Sequence, residues 1–397
     1  EMCIRDRVCN DFNAPGTSTA LDGAMTLAMG SSTLTVSGSW TNQATNFAVT
    51  NTAGTLTFNA TTTGKTITTN GVTIGVATTF NGVGGAWTLG SALNIGSLTL
   101  TLTNGTFNTS TSNYNVTAGI FSSSNSNTRT INLNGSTITL SSATPWAMTT
   151  STNATLNAGT STINLSSTGP TFAGGGLTYY NVSFTSTVAT TLIRTISGAN
   201  TFRNLSFSTI GAAGLNNISI SANQTINGTL TVNGANGNQR MFVRSDTLGT
   251  SRTLTCAAIA AMTDVDFRDI TIAGAAGTLS GTRLGDCGGN SNITFVAGKT
   301  VYWNLVAGGN WNANGWAASS GASPATTNYP VPQDTAIIEN TGLTAGNTIT
   351  INGGWSIGTL DASTRTNAMT LASSTNLPTF YGNFTYGSGV TPTGTGT

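Results

Sequence analysis

The sequence predicts an all-β protein, a parallel β-helix or β-solenoid with coils of roughly 23–25 residues. Three observations carry that expectation. Aliphatic residues alternate with Thr, Ser and Asn in short runs, turn dipeptides separate the runs, and near-identical segments return at an almost constant interval.

The alternation is clearest in Ser97-Leu-Thr-Leu-Thr-Leu-Thr103. There Leu98, Leu100 and Leu102 share one face and the threonines the other, because successive side chains of a strand point to opposite sides. Thr130-Ile-Asn-Leu-Asn134 follows the same rule and leads through Gly135 into another alternating run. Branching at Cβ suits Thr and Val to a pleated, half-buried surface. Asn104-Gly105, Asn134-Gly135, Asn227-Gly228 and Asn352-Gly353 are expected to supply positive-φ turns. No segment shows helical periodicity with caps, so helix is expected to be minor.

The interval comes from direct echoes. Ser136-Thr-Ile-Thr-Leu-Ser-Ser142 returns as Ser161-Thr-Ile-Asn-Leu-Ser-Ser167, and Tyr180-Asn-Val-Ser-Phe184 returns after a slightly shorter step as Arg203-Asn-Leu-Ser-Phe207. Leu230-Thr-Val232 lies as far beyond Leu205-Ser-Phe207 as Ser161 lies beyond Ser136. Each echo places like residues above one another if a coil takes one interval, which buries a continuous inward row and lets Asn and Thr form ladders between coils. Tandem β-sandwiches also consist of short alternating strands, but they do not repeat the same residues at a fixed interval.

Composition narrows the function classes. Charged residues make up 6% of the chain, there is no His, and the net charge is +1, against a usual charged fraction of roughly 25%. Solubility therefore rests on hydroxyls and amides. The scattered, balanced charge gives no nucleic-acid footprint. No apolar run approaches the roughly 20 residues of a transmembrane helix. No Asp or Glu occurs between Asp22 and Asp246, and Lys65 is the single Lys between residues 8 and 298. General acid–base chemistry has few carriers, so the chain is expected to be non-enzymatic and without cofactor.

Four segments are expected. Residues 1–7, Glu-Met-Cys-Ile-Arg-Asp-Arg, resemble a translated sequencing-adapter artefact and are set apart from the fold. Residues 8–236 form the Thr/Asn/Gly-rich solenoid. Residues 237–298 form a charged β-segment, and 299–397 a Trp/Gly-rich module in which a further repeat begins. An interruption of the solenoid is expected near 240–330. The further repeat is signalled by Ala24-Met-Thr-Leu-Ala28 recurring as Ala368-Met-Thr-Leu-Ala372. At the same offset Thr35, Gly38 and Thr41 match Thr379, Gly382 and Thr385, which marks the chain as a fragment of a longer array.

Three groups are candidates for chemistry. Asp264 and Asp266 alternate across Val265 with Asp269 close by; several oxygens together suit Ca²⁺, while Arg244, Arg252 and Arg268 are equally available for salt bridges. Paired carboxylates also perform glycoside hydrolysis, which keeps a β-helix polysaccharide depolymerase open as an alternative. Cys256 and Cys287 either form a disulfide or remain two buried thiols. Trp303, Trp311 and Trp316, with Tyr302, Tyr329 and Trp355, either stack on glycan rings or pack a core.

Residues 281–338 carry a recognisable pattern. Gly281-Thr-Arg-Leu-Gly-Asp-Cys-Gly-Gly-Asn290 leads to Lys299-Thr-Val-Tyr-Trp-Asn304, then Gly309-Asn-Trp311, Trp316 and Pro330-Val-Pro-Gln-Asp-Thr-Ala336. It resembles repeat-rich β-solenoid structural proteins of uncultured marine tailed phages and is similar to secreted bacterial adhesin-like solenoids. The resemblance implies a structural or adhesive surface protein, a tail-fibre or tail-associated virion component or else a secreted adhesin, located outside the cell or on the virion surface. The implied partners are a host-surface glycan or protein receptor, other virion or surface proteins, and further copies of the chain. No catalytic residues follow from it.

Overall fold

A computed structural model describes residues 2–3, 7–14, 25–42, 47–51, 53–189, 192–375 and 377–394. Ala24 and Asp22 lie outside them, as do Glu1 and residues 4–6 of the segment read as an artefact. The chain is all-β, and its regular helix among the described residues is a single 3-10 turn, Thr326–Asn328. Strands pair in parallel with the strand one coil later. The fold is a β-solenoid with spacing near 24 residues, not a set of sandwiches. Two compact units divide it: residues 1–185 with 197–205, and 186–196 with 206–397.

In the first unit the echo of Ser136–Ser142 in Ser161–Ser167 is the register itself. Thr137, Ile138, Thr139 and Leu140 pair with Thr162, Ile163, Asn164 and Leu165. The inward Ile and Leu are buried and the outward Thr and Asn partly exposed. A coil here has three strands, for example Val116–Ala118, Ile120–Ser122 and Arg129–Asn132, followed by Thr137–Leu140, Trp146–Ala147 and Ala154–Asn157. The next coil keeps only Thr162–Leu165 and Thr171–Ala173 before Thr178–Phe184 returns to the first face, and the step shortens so that Thr162 pairs with Asn181. Coil length thus varies with what is inserted at the corners, while the strand register is kept.

The Asn-Gly pairs divide by role. Asn134 (φ 49°) and Gly105 (φ 85°) take the left-handed conformation, whereas Asn352-Gly353 does not. Asn227-Gly228 lies within strand Gln224–Val232, where the register shifts between Ile226 and Thr229.

A column of aromatic rings fills the first unit's interior. Phe12 stacks on Trp40 (3.9 Å between centroids, 15° between planes), and Trp40 meets Phe58 (6.3 Å). Phe58 stacks on Phe80 (5.0 Å, 14°), followed by Phe107, Phe121 and Trp146 at 5.3, 6.1 and 4.7 Å. Phe172 and Phe202 continue the column at 6.3 and 5.8 Å. Each pair lies near the range in which aromatic contacts add about 0.5–1.5 kcal/mol beyond burial.

In the second unit, strands Gly214–Ile220, Gln239–Ser245, Val265–Arg268 and Gly285–Asp286 stack on one face, and Gln224–Val232, Arg252–Ile259 and Ile270–Ala273 on another. Stacking continues through the charged segment as far as Asp286, beyond which residues 287–299 carry only the isolated bridges Thr271↔Ser291 and Leu279↔Ile293, inside the window where an interruption was expected. New sheets begin at Thr300–Trp303, which pairs in parallel with Thr335–Ile337 and antiparallel with Trp316–Ala317. These later coils share a core with the earlier ones, since Phe242 and Cys287 pack with Val301, Trp303, Tyr329 and Trp355.

The internal echo is also structural. Strands Met25–Gly30, Thr33–Val36 and Trp40–Asn42 have as counterparts Met369–Ser373, Thr379–Phe380 and Phe384–Tyr386. Met25 pairs with Phe47 on the following strand, as Met369 pairs with Val390.

Candidate functional site

Asp264 and Asp269 flank strand Val265–Arg268 and both have positive φ (57° and 55°), so simple alternation does not govern where they point. Asp264 and Asp266 converge on Arg240, which rises from strand Gln239–Ser245 one coil earlier and is 1% exposed. Arg240 Nη1 donates to Asp264 Oδ1 (3.2 Å), and its Nε and Nη2 donate to Asp266 Oδ1 (3.1 and 2.5 Å). Arg283 grips both oxygens of Asp264, donating from Nε to Oδ1 (2.7 Å) and from Nη2 to Oδ2 (2.6 Å), and its carbonyl accepts from Arg240 (2.8 Å). Asp269 turns to another corner, where it accepts from the Gly249 amide (3.0 Å) and pairs with Arg268 (3.4 Å).

Of the two readings open for Asp264, Asp266 and Asp269, Ca²⁺ or salt bridges, the geometry is that of salt bridges. Guanidinium groups hold both oxygens of Asp264 and Oδ1 of Asp266, Asp269 faces another corner, and among the described residues no three His, Cys, Asp or Glu gather as a metal site. Burial, with Asp264 and Asp334 adding to it, holds the Asp266 carboxyl above its ordinary range although Arg240 pulls it down. Desolvation offsets much of the attraction in ion pairs this deep, so their net contribution to stability is small although breaking one from a single side is costly.

The Pro330-Val-Pro-Gln-Asp motif has a structural explanation in the same region. Asp334, 3% exposed, accepts from the Val331 and Lys299 amides (2.9 Å each) and pairs with Lys299 Nζ (2.6 Å). Gln333 donates to the Leu284 carbonyl (2.9 Å) and accepts from the Asp286 amide (3.0 Å), tying the later coils to the charged segment.

Cys256 and Cys287 are both buried and both free, which corrects the disulfide and leaves the two-thiol reading. Cys256 lies in strand Arg252–Ile259, whereas Cys287 follows strand Gly285–Asp286 in a different sheet, among Ser356, Tyr381 and the tryptophan core. Burial pushes the Cys256 thiol up to about 12 and the Cys287 thiol well above its usual value. Neither is poised to react. Alkylation without reductant is expected to spare both in the folded protein and to label both in denaturant; protection that persists in denaturant until a reductant is added would show a bridge.

The aromatic glycan-contact expectation is corrected too. Trp303, Trp311 and Trp316 are 1%, 0% and 1% exposed. They pack edge to face, Trp303 on Trp316 at 5.2 Å and Trp311 on Trp316 at 4.7 Å. The indole N–H groups of Trp303 and Trp316 donate to the Leu305 and Trp311 carbonyls (3.0 and 3.2 Å). Trp355 packs with Tyr329 at 5.4 Å. The tryptophans share this core with Val301, Ile338, Leu343, Ile349, Ile351 and Leu360.

The outward faces carry neutral ladders. Asn204 donates to Asn181 Oδ1 (2.8 Å) and Asn181 to Thr162 Oγ1 (3.1 Å). Asn157 donates to Asn132, Asn134 to Asn108 and Asn104 to Asn81 at 2.7, 2.9 and 2.8 Å. Identical amides can serve as both donor and acceptor, so stacked copies satisfy each other without charge.

Arg129 escaped the sequence reasoning. In a stretch with no carboxylate it is 1% exposed, and its guanidinium is covered by the Ser123, Asn127, Thr150 and Thr152 carbonyls and the Ser123 hydroxyl at 2.6–3.2 Å. The five donors of a guanidinium suit a corner where several carbonyls lose their strand partners. Lysine has three donors and no planar fork. Arg129→Lys is expected to cost about 2–3 kcal/mol by leaving buried acceptors unmet and to speed amide exchange across 123–130, while unchanged exchange there would contradict the stapling role.

A scan against protein-family models finds no match to this chain, and no curated protein or solved structure matches it. Among the described residues no helix is long and apolar enough to cross a membrane. The β-solenoid fold is compatible with a structural or adhesive surface protein.

Proposed function

We propose that this chain is a non-enzymatic structural or adhesive surface protein and, more specifically, a tail-fibre or tail-associated component of a phage virion. The observation that carries the reading is the division of polar groups. Neutral amide and hydroxyl ladders face outward, whereas Asp264, Asp266 and Arg240 are buried and bonded to one another. Stacked coils present a repeating, uncharged surface, and carboxylates held by guanidinium groups are not free to exchange protons with a substrate. A polysaccharide depolymerase would require the opposite arrangement.

Incubation of the purified chain with bacterial envelope polysaccharides is expected to release neither reducing ends nor unsaturated sugars, and adsorption to intact host cells is expected to saturate. Product release above a heat-denatured control would overturn the non-enzymatic reading. Neighbouring genes address the finer one: capsid or terminase genes favour the virion, whereas a linked outer-membrane barrel gene favours a secreted bacterial adhesin.

A further inference from the structure

We propose that a cleft on the first unit, between residues 83–85, 104–106 and 126–130, binds a neutral oligosaccharide. This deepens the adhesive reading and rests on it. The cleft is open to solvent and has a volume of about 600 Å³, within the range of about 300–1,000 Å³ typical of small-ligand sites.

Its floor is backbone by necessity. Strand Ala77–Leu89 bulges where its register against strand Thr99–Asn108 jumps from Asn81↔Asn104 to Ala86↔Thr106. Gly105, at φ 85°, lies where a Cβ would meet the carbonyl oxygens of Gly85 and Gly82 at 2.6 and 2.7 Å. No larger residue fits there without moving main chain. Beneath lies the buried Trp87 ring, 3.0 Å from the same Cβ position.

One of the two walls is held by hydrogen bonds. On one side Val83 stands 74% exposed. On the other, the segment through Asn127 and Thr128 is held by Arg129, whose guanidinium bonds to carbonyls on both its own loop and the next coil, and by Asn127 Nδ2 donating to the Thr103 carbonyl (3.2 Å). A rigid site loses little entropy on binding.

The lining then selects the ligand. Its ionisable side chain, Arg129, is buried and covered by carbonyls, so no charge is offered to an anion or a cation. What reaches the cleft are the hydroxyls of Thr106, Thr128 and Thr130, which make no hydrogen bond among the described residues, and the Asn104 and Asn127 amides, with one exposed aliphatic group. Hydroxyls and amides match the vicinal hydroxyls of a sugar, and Val83 offers a patch for its C–H face. A charged ligand would be desolvated there without compensation.

The test is an array of neutral oligosaccharides built from glucose, galactose, mannose and N-acetylglucosamine, beside sialylated and sulfated controls. It would be probed with the full chain and with the Thr106→Val, Thr128→Val double variant. That pair removes two hydroxyls at nearly constant shape, and circular dichroism of the variant is expected to match the parent. Losing both hydrogen bonds is expected to weaken binding about tenfold or more. A second variant, Val83→Asp, places an unpaired charge in the cleft and is expected to abolish binding. Binding to neutral sugars that neither variant changes would place the ligand elsewhere and overturn this site while leaving the adhesive reading intact. Binding confined to the charged glycans, or no binding to any sugar, would also overturn it; the adhesive reading then stands or falls on cell adsorption alone.

Discussion

Trp146→Ala is expected to destabilise the first unit by about 3–5 kcal/mol, the usual cost of deleting a fully buried large aromatic side chain. Trp146 is 0% exposed, stacks on Phe121 at 4.7 Å and on Phe172 at 6.3 Å, and its indole N–H donates to the Tyr179 hydroxyl (3.0 Å). Removing it opens a cavity in the aromatic column and withdraws a donor from a hydroxyl buried deeply enough to hold the Tyr179 pKa well above its usual value. Because coils contact mainly their neighbours, the loss is expected to spread along the stack instead of remaining local. Exchange protection is expected to fall in coils on both sides of the substitution. Unfolding free energies matching the parent within about 0.5 kcal/mol, the range of an ordinary surface change, would contradict the column's role.

Arg240→Leu is expected to cost the second unit a similar amount, about 3–5 kcal/mol, because breaking a buried pair from one side leaves an uncompensated charge. Asp264 keeps Arg283, but Asp266 loses the side chain that contacts its Oδ1 twice. The double variant Arg240→Leu, Asp266→Leu removes both charges and is expected to recover much of that loss. Urea unfolding of the parent, the two single variants and the double variant forms a thermodynamic cycle, and urea leaves the ion pair unscreened. Additive single and double effects would show that the two side chains do not interact.

The strand register was legible because both of its signals are local. Ile138 and Ile163 sit in near-identical contexts, and a period-2 pattern decides which face each occupies. The aromatic column was not legible. Trp40, Phe58, Phe80 and Phe107 follow one another at unequal intervals, since bulges and corner loops add residues that the strand register ignores. Composition alone does not separate an exposed tryptophan from a buried one, and Trp303, Trp311 and Trp316 proved to be core because aliphatic residues from later coils, Ile338, Ile349 and Leu360 among them, pack around them. The acidic cluster was half legible. Opposite charges in 240–286 announced ion pairing, but positive φ at Asp264 and Asp269 broke the alternation from which their directions were inferred. Arg129 carried no signal, because carbonyl partners are present in every sequence.

The most direct test of the stacked-coil account measures how distance grows with coil number. Thr117, Thr139, Asn164 and Ser183 occupy successive positions of one outward column in the first unit, paired Thr117↔Thr139, Thr139↔Asn164 and Asn164↔Ser183. Pairs of spin labels on these residues are predicted to separate by about one, two and three strand spacings, each about 4.8 Å, for 139–164, 117–164 and 117–183. The unequal sequence steps between these positions would then map onto a ladder of equal rungs. Distances that fail to rise in equal steps, or a 117–183 pair as close as the 139–164 pair, would contradict it.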